Sequence, residues 1–216
     1  MKRNVLILLT CLLNMSLLGQ TLYLQIGPSF SKLTWNNSMI NKDPFNKGIV
    51  GVDAMAGVNY LNFKYFCLSS NIGFIQKGGS QKVTMTNELG DSIATTEETE
   101  KLNYLTVNTT FNLKIPIKDV IEPYIFVGPR LDYLINYKEN IVFLKQFDDA
   151  GKLNKISYGF ITGAGINFQI RKIQLGAVFD YYINLNKLVD YTSAYNVSNK
   201  ISDNTFAVNF QVGYKF

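Results

Sequence analysis

The sequence contains no histidine. Histidine is the usual proton carrier near neutral pH, so Ser-His-Asp triads and His-Ser pairs are impossible. No two-carboxylate or Ser-Lys arrangement stands out in the spacing, so the chain reads as a non-enzyme with no catalytic, cofactor-binding or metal site. Cysteine is nearly absent as well. Of the two, Cys11 lies in the N-terminal apolar run, which leaves Cys67 without an intramolecular partner once that run is removed. Charge of either sign is sparse: 21 basic residues oppose 16 acidic ones, a formal +5 that drops to +3 without Lys2 and Arg3. Such a mild balance excludes a nucleic-acid partner.

The N-terminal apolar run, Val5 to Leu13, follows Lys2 and Arg3 and precedes a polar stretch from Ser16 to Gln20. It is too short for the roughly 20 apolar residues of a transmembrane helix, and Asn14 interrupts it. Residues 1–20 therefore read as a cleavable signal peptide and residues 21–216 as one domain. Cys11 lacks the small residue that precedes a lipoprotein acceptor.

What the chain does have is strict alternation. In its last twelve residues Phe206, Val208, Phe210, Val212, Tyr214 and Phe216 share one face, while Thr205, Ala207, Asn209, Gln211, Gly213 and Lys215 share the other. A ten-residue strand with one apolar and one polar face is what crosses an outer membrane, because only a closed barrel pairs every backbone group in hydrocarbon. The same period recurs at 173–185, at 160–170, between Tyr124 and Tyr137, and in segments near 22–33, 50–61, 65–77 and 102–114. Between Tyr124 and Tyr137, Ile125, Val127, Pro129, Leu131, Tyr133, Ile135 and Tyr137 are assigned to the outer face, with Gly128, Arg130, Asp132 and Asn136 inside. The pattern predicts an all-β, eight-stranded antiparallel up-and-down transmembrane β-barrel. Composition alone hides this: 47% hydrophobic residues and a mean hydropathy near zero also describe a soluble protein.

Connections alternate in length. Those at 62–64, 115–122 and 171–172 are short, whereas those at about 34–49, 78–101, 138–156 and 186–203 are long and polar. Short turns on one rim and long loops on the other mark an outer-membrane barrel with both termini at the periplasmic rim. Outward aromatics then form two belts: Tyr60, Phe66, Phe111, Phe168, Tyr214 and Phe216 near the turns, and Phe30, Phe74, Tyr133, Tyr158, Phe160, Tyr181 and Phe206 near the loops. A soluble lipocalin-type barrel also alternates, but it explains neither the leader nor four long loops on one rim.

Four passages carry a resemblance. They are Gly73-Phe74-Ile75-Gln76-Lys77-Gly78-Gly79, Leu102-Asn103-Tyr104-Leu105, Pro123-Tyr124-Ile125-Phe126-Val127-Gly128-Pro129, and the paired Tyr158-Gly159-Phe160 and Gly163-Ala164-Gly165. Through them the whole chain after residue 20 resembles the PorT-like outer-membrane β-barrel family of Bacteroidetes. Many relatives have a proline shortly after the tyrosine-leucine pair, where this chain has Thr106-Val107-Asn108. The resemblance implies a Gram-negative outer-membrane location and, for a few members, an accessory part in protein secretion.

Inside the expected barrel lie Lys77, Lys114, Asp53, Arg130, Asp132 and Asp180. An eight-stranded barrel barely holds its own side chains, so a packed network is expected over a charged conduit, with Arg130 neutralising Asp132, Asp180 or Asp53. Tyr104, Tyr124, Phe126 and Tyr182 also point inward and fill the lumen. Inward Gly163 and Gly165 relieve crowding. The acidic stretch with Glu88, Asp91, Glu97, Glu98 and Glu100 has no EF-hand spacing and reads as solvated. Phe210, Tyr214 and Phe216 form the expected carboxy-terminal signal for the barrel-assembly machinery. The expected role is a membrane-embedded scaffold or partner-binding module, surrounded by outer-membrane lipid and contacting a protein at its loops or periplasmic rim. The alternatives are a small-solute porin-like channel and an accessory component of a secretion system.

Overall fold

In a computed structural model describing residues 20–39, 43–117, 120–138, 143–193 and 196–216, the alternating segments close into a barrel. The strands are β1 (Thr21–Asn37), β2 (Ile49–Tyr60), β3 (Phe66–Thr86), β4 (Ser92–Lys114), β5 (Ile121–Lys138), β6 (Ile156–Ile170), β7 (Ile173–Asn184), β8 (Val189–Thr192) and β9 (Ser198–Lys215). Each of β1 to β6 pairs antiparallel with the next, β7 pairs with β9, and β9 returns to β1 from Thr21↔Lys215 to Asn37↔Asn199. The ring therefore has eight strands. β8 lies outside it, pairing with the outer end of β9 where β7 has stopped. Among the described residues no helix is long and apolar enough to cross a membrane; the strands do the crossing.

Alternation places the apolar face outward. Leu22, Leu24 and Ile26 on β1 and Phe206, Val208, Phe210, Val212 and Tyr214 on β9 are all exposed. Their neighbours Tyr23, Gln25, Ala207, Asn209 and Gln211 are buried in the lumen. The β2–β3, β4–β5 and β6–β7 connections share the rim that carries Thr21 and Lys215, so β1 ascends from that rim and β9 descends to it. Inward glycines sit beneath rings. Gly163 faces Phe126 and Gly165 faces Tyr124 across the β5–β6 ladder, and a Cβ at either glycine would collide with the ring. The expected relief of crowding thus takes the form of aromatic side chains laid over bare backbone.

Three expectations need correction. The stretch 78–101 is no loop: β3 and β4 continue pairing to Thr86↔Ser92, leaving a tip of only 87–91. Its run of Thr, Ser, Gln and Glu hides a ribbon, because with water on both faces nothing imposes an apolar period. The stretches 138–156 and 186–203 likewise contain α1 (Phe143–Asp149), β8 and the start of β9. Finally, the outer face of β5 ends earlier than expected. The β4–β5 register shifts between Asn103 and Tyr104, which pair with Asn136 and Leu134 and leave Ile135 as the extra residue. Past this bulge the faces exchange. Tyr137 packs on the interior and donates its hydroxyl to Asp148 at 3.0 Å, while Asn136 turns outward to accept from Asn103 at 2.6 Å.

Candidate functional site

The lumen is filled in layers, and the middle layer holds the charge. Lys77 of β3 donates to Asp132 of β5 at 3.0 Å and reaches Asp203 of β9 at 3.1 Å. Arg130 of β5 also contacts Asp132, so one carboxylate oxygen serves two cations. The other Arg130 nitrogen donates to Asn184, and the guanidinium lies 5.1 Å from the Tyr182 ring centre. The Lys77 ammonium stands 5.2 Å from the Tyr104 ring and 5.6 Å from that of Tyr182. These side chains come from five strands, and each is placed inward by strand parity.

Of the four residues expected to form one network, Arg130 and Asp132 meet directly, and Tyr182, whose ring lies under Arg130, links them to Asp53. Asp53 and Asp180 form a second group. The Asn209 amide donates to both carboxylates, at 2.8 and 2.7 Å, and the Tyr182 hydroxyl donates to Asp53 at 2.8 Å. Arg130 therefore chooses its nearest partner along its own strand, two residues away on the same face. Sequence reasoning missed Asp203, which lay in a stretch read as loop. Its alternation with Thr205 and Ala207 was the available signal.

Toward the periplasmic rim the filling is amide and hydroxyl. Gln25 donates to Gln211 at 2.8 Å, Asn71 to Asn108 at 2.8 Å and Asn112 to Ser69 at 2.6 Å. A cavity of about 30 Å³ remains here between Tyr23, Tyr124, Asn167 and Asp180. That is room for a few water molecules and nothing larger. Lys114 lies at this rim, bonded to Asn62 and 3.3 Å from Glu122. Cys67 is buried beside it.

Above the charges lies an apolar cap. Leu33, Leu102, Leu134 and Ile201 point in from the upper strands, and Phe45, Leu144, Leu153, Leu188 and Val189 fold over them from the connections. Apolar residues inside otherwise polar loop stretches were the unread signal. The acidic residues of the ribbon do not converge: Glu97 pairs with Lys47 at 2.8 Å, and Asp91 holds the tip by accepting from Asn87 at 3.3 Å. Glu97, outside the membrane, is kept below the usual glutamate range first by its bond from Lys47 and then by that from Ser80. Among the described residues, no three His, Cys, Asp or Glu side chains gather as a metal site. Phe210, Tyr214 and Phe216 stand exposed on the outer face of β9, with the Tyr214 and Phe216 rings edge to face at 5.1 Å.

A family model described as outer membrane protein beta-barrel domain matches residues 22–190. Solved structures of similar fold include OprG from Pseudomonas aeruginosa, with 9% identity, a TM-score of 0.48 and coverage of 91% of this chain and 96% of that one. Ail of Yersinia pestis, solved in complex with the heparin analogue sucrose octasulfate, has 13% identity, a TM-score of 0.44 and coverage of 92% and 99%. E. coli outer membrane protein W has 13% identity, a TM-score of 0.43 and coverage of 92% and 98%. No curated protein matches the chain.

Proposed function

Because this chain belongs to the outer membrane protein beta-barrel domain family and resides in the outer membrane, we propose that it is a non-catalytic scaffold with a filled lumen. In this reading its extracellular side binds a protein partner. The observation that carries the reading is the β3–β4 ribbon. β2 accompanies β3 only to Ile75 and β5 accompanies β4 only to Lys101, so beyond these points the ribbon has two open edges, bridged once by Lys47 and Ser80. Past the buried Ser80 and Glu100, about six residues of each strand stand clear, roughly 20 Å of chain at 3.3 Å per residue. Open edges offer main-chain groups to an extended partner segment. The exposed acids Glu88 and Asp91 at its tip favour a basic one.

The narrower PorT-like assignment supports a partner belonging to a protein secretion machine, since Gly78 and Gly79 of that resemblance form the root of the ribbon. A Cβ at Gly78 would strike the Glu100 carbonyl, so the close approach of β3 to β4 needs glycine there. A solute channel is disfavoured by the charge layer and the cap. Phe210, Tyr214 and Phe216 are assigned to recognition by the assembly machinery.

The test is site-specific photo-crosslinking in native membranes from Thr95 on the ribbon and from Val127 on the lipid face. One discrete adduct from Thr95, absent from Val127 and lost when Glu88 and Asp91 are both replaced by Lys, is expected. No stoichiometric adduct from any ribbon position would refute the proposal.

A further inference from the structure

A recess of about 650 Å³ opens on the outer surface where β1, the start of β2 and β9 meet, lined by Phe30, Lys32, Gly48, Val50, Asn204 and Phe206. It exists because the β1–β2 ladder stops at Ser31↔Ile49, while β1 and β9 run on together. The chain before β2 bends away at Gly48, where a Cβ would press on the Ser31 carbonyl oxygen at 2.8 Å. Its lower wall is apolar: the Phe30 and Phe206 rings stack at 4.9 Å and Val50 is 62% exposed. Its upper wall is polar, with Lys32 directly across from Asn204 in the β1–β9 register.

The height of this boundary is set by the pattern itself. Outward positions from Leu22 to Phe30 span roughly 20 Å along a strand tilted about 40°, close to the apolar band of such barrels. The next outward residue, Lys32, therefore meets the headgroups of the outer leaflet. It is exposed and, among the described residues, makes no ion pair, whereas Lys47 and Lys187 bind Glu97 and Asp190. A surface at this depth is covered by lipid, and a lone cation above an aromatic shelf selects among lipids by charge.

We propose that this recess is a binding site for an anionic, phosphate-bearing lipid of the outer leaflet. One acyl chain lies on Phe30, Val50 and Phe206, and the phosphate pairs with Lys32. Native mass spectrometry of the full barrel in neutral detergent tests this, with phosphatidylglycerol and phosphatidylcholine of matched chains at equal concentration. The wild type is expected to retain phosphatidylglycerol preferentially. Lys32→Gln lowers that preference about fivefold, the weight of one lysine at an anionic surface, without changing phosphatidylcholine retention. Val50→Trp fills the recess and lowers retention of both lipids. Both positions face outward, and two-band gel migration with and without boiling confirms that the variants fold. An unchanged preference in Lys32→Gln, or displacement of phosphatidylglycerol by inorganic phosphate alone, overturns the proposal.

Discussion

At the scale of single residues, the buried ions matter most, because a charge in so narrow a lumen is tolerated only when paired. Asp132 is fully buried and accepts from both Lys77 and Arg130, so its loss strands two cations with Asp203 as the remaining carboxylate. Asp132→Asn is expected to destabilise the barrel by about 3–5 kcal/mol, the range for breaking a buried pair, measured by urea unfolding in lipid vesicles. Adding Lys77→Met removes one stranded cation and recovers part of that loss. Additive costs in the double variant would contradict the shared-oxygen geometry. The inward position of all three residues was legible from parity. Which acid Arg130 takes was not, because parity orders residues along a strand and says nothing of reach across the lumen.

At the scale of elements, β9 combines the most regular pattern with the most topological responsibility, since it pairs with both β7 and β1 and closes the ring. Its last residues complete the seam: the Lys215 amide donates to the Lys172 carbonyl at 2.8 Å and that of Phe216 to Gln20 at 3.1 Å. Deleting Phe216, or replacing it with Asp, is expected to reduce the heat-modifiable folded fraction in membranes several-fold while synthesis is unchanged. Pulse-labelling followed by unboiled gel electrophoresis reads both quantities, and equal folded fractions would remove Phe216 from the assembly signal. Other elements were hidden for a physical reason. The ribbon of β3 and β4 beyond Ser80 has solvent on both sides, so its pairing comes from backbone hydrogen bonds and leaves no apolar trace.

At the scale of the whole molecule, the layers decide conduction. The Lys77–Arg130–Asp132–Asp203 layer crosses the lumen, and Leu33, Phe45, Leu144, Leu153 and Val189 close it from above. Planar-bilayer recordings are expected to show no stable conductance for the native barrel. Replacing Leu144 and Leu153 with Asp opens the cap but leaves the charge layer, so conductance stays absent. Stable large openings in either protein would revive the porin alternative.

The alternating period by itself determined the closed barrel, its eight-strand count, the lipid-facing surface and the membrane address, because in hydrocarbon every strand must be apolar outward and paired on both edges. Lumen filling was determined only in composition, as an inventory of inward side chains. Tertiary structure decided how that inventory divides into two charge groups, where the β4–β5 bulge turns Tyr137 inward, and that loop residues such as Phe45 and Leu144 return to seal the mouth. Such contacts join residues far apart in sequence, through partners that no local period encodes.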